Sequence, residues 1–242
     1  EYQDILEEHP SVQFDPQELV GQMRRLNPRL YSIASSYLVA PDEVHLTVAP
    51  VRYTTNNRER RGLCSNYLSD RIELNSTKVP VFVSRSHFGL PEHDDTDIIM
   101  VGPGTGIAPF RAFLQERDKK GAKGRNWLFF GDWNKATDYL YGDDFEEWLT
   151  SGLLYRVDLA FSRDQGYKIY VQDRIREQAA ELWTWIRDGA CFYVCGDATR
   201  MAKDVDTALR DLLMKEGCMS EIEVTNMIKV MKKERRYQRD VY

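Results

Sequence analysis

The chain has 242 residues, 42% hydrophobic and 29% charged, an ordinary globular composition with room for one large domain or two small ones. Its formal net charge of −5 withholds the basic face that general nucleic-acid binding requires. No apolar run approaches the roughly 20 residues of a membrane span, so neither a nucleic acid nor a membrane is expected as a partner.

Residues 1–14 carry little pattern, and no signal-peptide signature opens the chain at Glu1. Asp15 then caps a predicted helix over Pro16–Leu26, with Pro16 at its first position and Asn27-Pro28 as its stop. Glu43–Thr55 reads as a strand, because Val44, Leu46 and Val48 alternate before a β-branched and aromatic run. A short helix is predicted over Asn66–Glu73 and a further strand over Val79–Ser84. Near Asp97 the pattern changes to alternating strands and helices. Strands are predicted at Ile98–Val101, Trp127–Phe130, Tyr155–Phe161 and Phe192–Cys195. Helices are predicted from the glycine-rich loop to about Lys119, then over Phe145–Thr150, Val171–Arg187, Ala198–Glu216 and Glu221–Glu234. Short β–α alternation implies a parallel sheet covered on both faces. The boundary between the strand-rich and alternating parts falls near Leu90–Asp95, a Pro- and Asp-bearing stretch.

Cysteine and histidine spacing argues against a zinc site, and no metal is expected. Cys64, Cys191, Cys195 and Cys218 form no CxxC pair, and no histidine stands at ligand spacing. Free thiols point to a reducing, cytoplasmic setting. Cys191 and Cys195 would share one face of a strand, too far apart for a disulfide.

Several short segments could carry chemistry. Gly102-Pro-Gly-Thr-Gly106 follows a strand and opens a helix, so its backbone could approach a phosphate-bearing ligand at a helix N-terminus. It matches neither GxGxxG nor a Walker A loop, and the absent lysine excludes an NTPase; a tight structural turn has the same sequence. Ser162-Arg163, with Lys168 and Tyr170 beyond, lies past a predicted parallel strand, the edge where open α/β sheets bind ligands. Two cations and two hydroxyls suit a phosphate ester, whereas an NAD site would set an acidic side chain there; a solvated polar loop is the alternative. Arg29-Leu-Tyr-Ser32 could hold a phosphate and a flat ring, or could be an ordinary edge strand. Gly62-Leu-Cys-Ser65 could seat a pyrophosphate, or Ser65 could be a plain N-cap. Cys195-Gly-Asp197 ends a strand, where Cys195 could simply pack in the core. The aromatic Tyr242, with Asp240 before it, is an unusual terminus, although a frayed tail is the simplest alternative. Lys232-Lys-Glu-Arg-Arg236 reads as a solvated helix face.

Taken in order, Arg29-Leu-Tyr-Ser32, Gly62-Leu-Cys-Ser65, Gly102-Pro-Gly-Thr-Gly-Ile-Ala-Pro-Phe110, Ser162-Arg163, Tyr193-Val-Cys-Gly-Asp197 and the aromatic terminus resemble the diflavin reductases of the ferredoxin–NADP⁺ reductase superfamily. Asn126-Trp-Leu-Phe-Phe-Gly131, Tyr170-Val-Gln-Asp173 and Arg235-Arg-Tyr-Gln-Arg-Asp-Val-Tyr242 favour the sulfite-reducing branch, the flavoprotein component, over cytochrome P450 reductases. The resemblance runs from about Asn27 to the end.

It implies an α/β plus β fold, with a partial antiparallel FAD-binding β-barrel followed by a parallel-sheet NADP-binding α/β domain. Residues 1–27 would be the remnant of a connecting segment, 28–92 the C-terminal part of the barrel, and 93–242 the NADP(H)-binding domain. Arg29, Leu30, Tyr31 and Ser32 would bind FAD, with Tyr31 beside the isoalloxazine, and Thr47, Val48, Ala49 and Tyr53 would line it. Gly62, Leu63, Cys64 and Ser65 would hold its pyrophosphate. Gly104 and Thr105 would meet the nicotinamide side of NADPH. Ser162, Arg163, Lys168, Tyr170 and Gln172 would bind its adenosine phosphate end, with Asp204 also touching the nucleotide. Ser32, Cys195 and Asp240 would surround the hydride path, and Tyr242 would stack over the flavin until displaced.

Members of the family place an FMN domain and the first barrel strands before these motifs, so FMN would belong to a preceding domain. The implied reaction takes hydride from NADPH to FAD. Electrons then pass through FMN to a haem and iron–sulfur subunit that reduces sulfite, a step toward cysteine biosynthesis. A P450 reductase-like acceptor, or an NADP-binding module without turnover of its own, are the competing expectations.

Overall fold

A computed structural model describes residues 2–242. Packing divides the chain into two compact units. One comprises the chain up to Tyr31 together with Val48–Val81; the other comprises Ser32–Thr47 and Phe82–Tyr242. The packing boundary after Val81 precedes the composition change at Leu90–Asp95, and Ser32–Thr47 packs with the C-terminal unit.

The smaller unit holds α1 (Tyr2–Glu8), α2 (Pro16–Gln22), β1 (Arg52–Thr55), β2 (Arg58–Arg61) and α3 (Leu63–Asp70). α1 falls where little pattern was legible. α2 starts as expected, with the Asp15 carboxylate accepting from Gln17 N–H at 2.9 Å. It stops four residues before Leu26, because Met23 is already extended. β1 and β2 form an antiparallel hairpin through Asn56 and Asn57, both left-handed, the conformation that a two-residue turn requires. The predicted strand Glu43–Thr55 is therefore split: its start contributes an isolated bridge, Ile33 to Leu46, and only its end enters the hairpin. Val79–Ser84 forms no strand. A ladder needs a neighbour to pair with, and Val81 and Val83 stand 80% and 75% exposed. The antiparallel part of the fold is thus this hairpin and one bridge among the described residues.

The larger unit is built on five strands: β3 (Ile98–Val101), β4 (Asn126–Asp132), β5 (Arg156–Phe161), β6 (Cys191–Gly196) and β7 (Tyr237–Val241). All pair in parallel, in the spatial order β5-β4-β3-β6-β7. Ile99, Val101, Trp127, Phe129, Phe192 and Val194 face one core. That core is covered by α7 (Val171–Glu177), α8 (Ala179–Arg187), α9 (Met201–Glu216) and α10 (Glu221–Lys233). Ile98, Met100, Leu128, Phe130, Cys191, Tyr193 and Cys195 face the other, under α4 (Ala108–Lys120) and α6 (Gly142–Ser151). A one-turn α5 (Lys135–Asp138) lies between β4 and α6. Burial on both faces explains the continuous apolar runs. The long helix predicted over Val171–Arg187 is two, broken at Gln178. β7 was not legible: Tyr237-Gln-Arg-Asp-Val241 lacks an apolar run, and its pairing with β6 comes from its place at the sheet edge.

Candidate functional site

Every strand of the large sheet runs the same way, so all carboxyl ends meet on one edge. Strand order reverses between β3 and β6, and the crevice outside such a switch point is where open α/β sheets bind ligands. The glycine loop lies there. A Cβ on Gly106 would come within 2.1 Å of the Cys195 carbonyl oxygen, so a glycine is needed to let the loop close on the end of β6. Gly104 has φ +56, and a Cβ there would meet only the Asp132 carboxylate, at 3.7 Å. The loop winds as one 3-10 turn, Gly104–Ile107, that feeds α4. Burial raises the Asp132 carboxyl above its ordinary value. Nothing in the sequence marked that residue.

Three predicted residues converge beside this loop. The Ser32 hydroxyl donates to Asp240 Oδ2 at 2.8 Å, and Cys195 Sγ stands 4.0 Å from the same oxygen. Burial pushes the Cys195 thiol up to about 12, with the Asp240 charge adding to the effect. Cys195 is therefore a neutral thiol at physiological pH, able to donate but not to act as a thiolate. Ser32 reaches this position because Ser32–Thr47 is fastened to α4 and α6. Arg111 donates to the Ala34 carbonyl and to Asp144, at 3.0 and 2.7 Å. Gln115 accepts from Ser36 N–H at 2.9 Å, and Thr47 pairs with the Tyr141 hydroxyl at 2.7 Å. Sequence reading missed Arg111, Gln115 and Tyr141; polar groups on a helix or at its cap carry no signal of what they dock.

Tyr242 is not a frayed end. Its N–H donates to the Gly196 carbonyl at 3.1 Å, and its carbonyl accepts from Ala198 N–H at 3.0 Å. Its hydroxyl meets Thr105 Oγ1 at 2.9 Å, which lays the ring against the glycine loop with 64% of the residue exposed.

The second cluster follows β5. Ser162 is buried, whereas Arg163, Lys168 and Tyr170 are exposed. Tyr170 precedes α7 as its cap residue, its N–H held by Asp173 at 2.9 Å. Gln172 donates to Asp204, in the first turn of α9, at 3.3 Å. Arg163 and Lys168 enter no salt bridge among the described residues. The one acidic neighbour in the loop, Asp164, is occupied by Lys135 N–H at 3.1 Å.

In the smaller unit the Tyr31 hydroxyl neighbours the Cys64 thiol, and burial raises the Tyr31 phenol to about 12. Arg29 donates to the Asn27 carbonyl, and Leu30 and Tyr53 are exposed, at 74% and 51%. The helix expected from Asn66 starts at Leu63, so Ser65 lies inside its first turn and is not the cap. The Ser65 hydroxyl accepts from Val51 N–H at 3.1 Å, a structural tie between the hairpin and α3. Val48 and Ala49 belong to this unit, Ser32 and Thr47 to the other. No cluster of side chains that could hold a metal occurs among the described residues, and no described helix is long and apolar enough to cross a membrane.

Comparison with known proteins agrees with both halves. Residues 1–67 match the family model of an FAD binding domain, and residues 100–207 match that of an oxidoreductase NAD-binding domain. The chain carries FAD-binding and NAD-binding oxidoreductase domains. The hairpin unit and the five-stranded α/β unit fit the ferredoxin–NADP⁺ reductase type of fold. The chain is 50% identical over 240 residues to the "Sulfite reductase [NADPH] flavoprotein alpha-component" of Yersinia pestis bv. Antiqua, which covers 99% of this chain and 39% of that protein. Identity to the like-named proteins is 52% over 232 residues in Klebsiella pneumoniae subsp. pneumoniae and 54% over 227 in Vibrio vulnificus. Those matches cover 96% and 93% of this chain, and 39% and 37% of the relatives. The chain thus spans well under half the length of the curated relatives it matches.

Proposed function

We propose that this chain binds NADPH and FAD and works as the hydride-accepting part of a sulfite reductase flavoprotein. When bound, NADPH supplies the hydride and the flavin of FAD accepts it. One observation carries the reading. Ser32, Asp240 and Cys195 converge beside a glycine loop at the switch point, on the same sheet edge as two unpaired cations after β5.

The residues fit the nucleotide. Gly104 leaves the loop open toward Asp132. Arg163 and Lys168 are free to take a 2′-phosphate, with Ser162, Tyr170, Gln172 and Asp204 toward the adenosine end. Gly104 and Thr105 face the nicotinamide. Asp240 holds the Ser32 hydroxyl and offers negative charge where positive charge grows on the nicotinamide ring. Cys195, neutral, lines the path without reacting. Tyr242 covers the loop at rest and swings aside to admit the ring.

On the FAD side, the first N–H groups of α3, at Leu63, Cys64 and Ser65, have no intrahelical acceptor and suit a pyrophosphate. Arg29, Leu30, Tyr31, Val48, Ala49, Tyr53 and Gly62 are assigned to the same cofactor. In functional terms residues 28–92 supply the FAD-binding part and 93–242 the NADP(H)-binding domain, while residues 1–27, inside the FAD binding domain match, lead into the first.

The likeness to the sulfite reductase relatives supports extending this to a longer protein. There an FMN domain hands electrons to a haem and iron–sulfur subunit in the cytoplasm. The test is the visible spectrum of the purified chain, followed by NADPH under anaerobic conditions. Flavin bands that bleach are the expected result. NADP⁺ binding without flavin bands would reduce the chain to a nucleotide-binding module, and loss of both would overturn the proposal.

A further inference from the structure

Past the end of β5 the backbone stays joined to the end of β4 and the residue after it. Ser162 N–H donates to the Asp132 carbonyl at 2.9 Å and Arg163 N–H to the Trp133 carbonyl at 2.8 Å. Lys135 N–H is held by the Asp164 carboxylate at 3.1 Å. Across this paired loop the Arg163 guanidinium lies over the Trp133 indole, 3.7 Å from guanidinium carbon to ring centroid. Trp133 is 56% exposed, so it is not a core residue.

The kind of contact matters. A carboxylate partner would occupy two guanidinium donors and neutralise the charge. A ring holds the flat face instead. The N–H groups lie in the guanidinium plane and radiate from its rim, so stacking orients the group and leaves every donor and the charge available. Arg163 has that arrangement: among the described residues its side chain enters no salt bridge and no hydrogen bond, and its backbone is pinned to that of Trp133.

We propose that Trp133 is a specificity-setting positioning residue: its indole presents the edge of the Arg163 guanidinium to the 2′-phosphate of NADP(H). This rests on Arg163 belonging to the 2′-phosphate site. Without the stack, a long exposed arginine must be ordered anew at each binding event, and only ligands that carry the 2′-phosphate are penalised.

The test is isothermal titration of the chain with 2′,5′-ADP and with 5′-AMP, comparing Trp133→Ala, Trp133→Phe and Arg163→Ala, with circular dichroism to verify the fold. An exposed cation–ring contact corresponds to roughly a two- to fivefold change in affinity. Trp133→Ala is expected to weaken 2′,5′-ADP by that factor and leave 5′-AMP unchanged. Trp133→Phe is expected to keep most of the affinity. Arg163→Ala should weaken 2′,5′-ADP further, and Trp133→Ala should then add nothing to it. If Arg163→Ala weakens 2′,5′-ADP and Trp133→Ala does not, the positioning role is wrong and the 2′-phosphate site stands. If Arg163→Ala has no effect, the assignment of the site itself fails. Equal weakening of both ligands by Trp133→Ala would make the indole a general nucleotide contact and overturn the specificity role.

Discussion

The cover that Tyr242 forms over the glycine loop can be loosened by removing one oxygen. Tyr242→Phe keeps the ring and the backbone ties to Gly196 and Ala198, and deletes only the hydroxyl that meets Thr105 at 2.9 Å. A hydrogen bond between neutral groups contributes about 0.5–1.5 kcal/mol net, which corresponds to about a two- to twelvefold change in how often the ring stands aside. A nicotinamide that enters only the open arrangement binds in proportion to that population. On the proposed assignment NADPH would also gain contacts to Arg163 and Lys168, and hydrogen bonds to charged groups contribute about 1.5–3 kcal/mol each, more than the cover costs. At saturating NADPH the substitution should therefore change little. NADH lacks those contacts, so the gain appears there. Flavin reduction by subsaturating NADH, followed anaerobically by stopped flow, should speed up about two- to tenfold in Tyr242→Phe. Thr105→Val should match it, and the double variant should add nothing. If both single variants leave the NADH rate unchanged, the Thr105–Tyr242 contact is no barrier to the cofactor and the reasoning fails.

Asp240→Asn removes the charge beside the proposed ring path while keeping an acceptor for Ser32. Flavin reduction should slow on the order of tenfold or more with NADP⁺ affinity unchanged by titration; a rate that stays fast would make Asp240 purely structural. Iodoacetamide at pH 8 should modify the exposed Cys218 and spare the buried Cys195, read by mass spectrometry. Because folding raises the Cys195 thiol from about 9 to about 12, its contribution to stability is complete below pH 9 and is lost as pH climbs through that window. Urea midpoints for Cys195→Ala and the unsubstituted chain should therefore converge as pH rises; a gap that widens would contradict the sign. Gly106→Ala forces a Cβ to 2.1 Å from the Cys195 carbonyl, so the loop must open and NADP⁺ binding should be lost; unchanged affinity would show that the loop does not need that closure. Arg111→Ala should cost about 2–3 kcal/mol through its bonds to Ala34 and Asp144. It should also speed amide exchange in Ser32–Thr47, and exchange equal to the unsubstituted chain would mean that other contacts hold the segment.

The large unit was legible because its signals are local. Ile98–Val101 and Cys191–Gly196 are apolar on both sides, which suits a strand buried on two faces. The small unit was read less well. Glu43–Thr55 has strand composition over its whole length, but a strand exists only where a neighbour pairs with it, and the Asn56-Asn57 turn assigns that partner to its last four residues. β7 failed in the opposite sense, its polar sequence becoming a strand because β6 offers an edge. The same division applies to the candidate site. Residue type and order alone singled out the glycine loop, Ser162-Arg163 and the terminal aromatic. That Ser32 meets Asp240 from 208 positions away, that Trp133 lies under Arg163, and that Tyr242 closes on Thr105 depend on which loops the parallel sheet gathers at one edge. Periodicity and turn chemistry are written in neighbouring residues; the meeting of distant side chains depends on strand order and on which surfaces remain to be buried, and only the tertiary structure decides those.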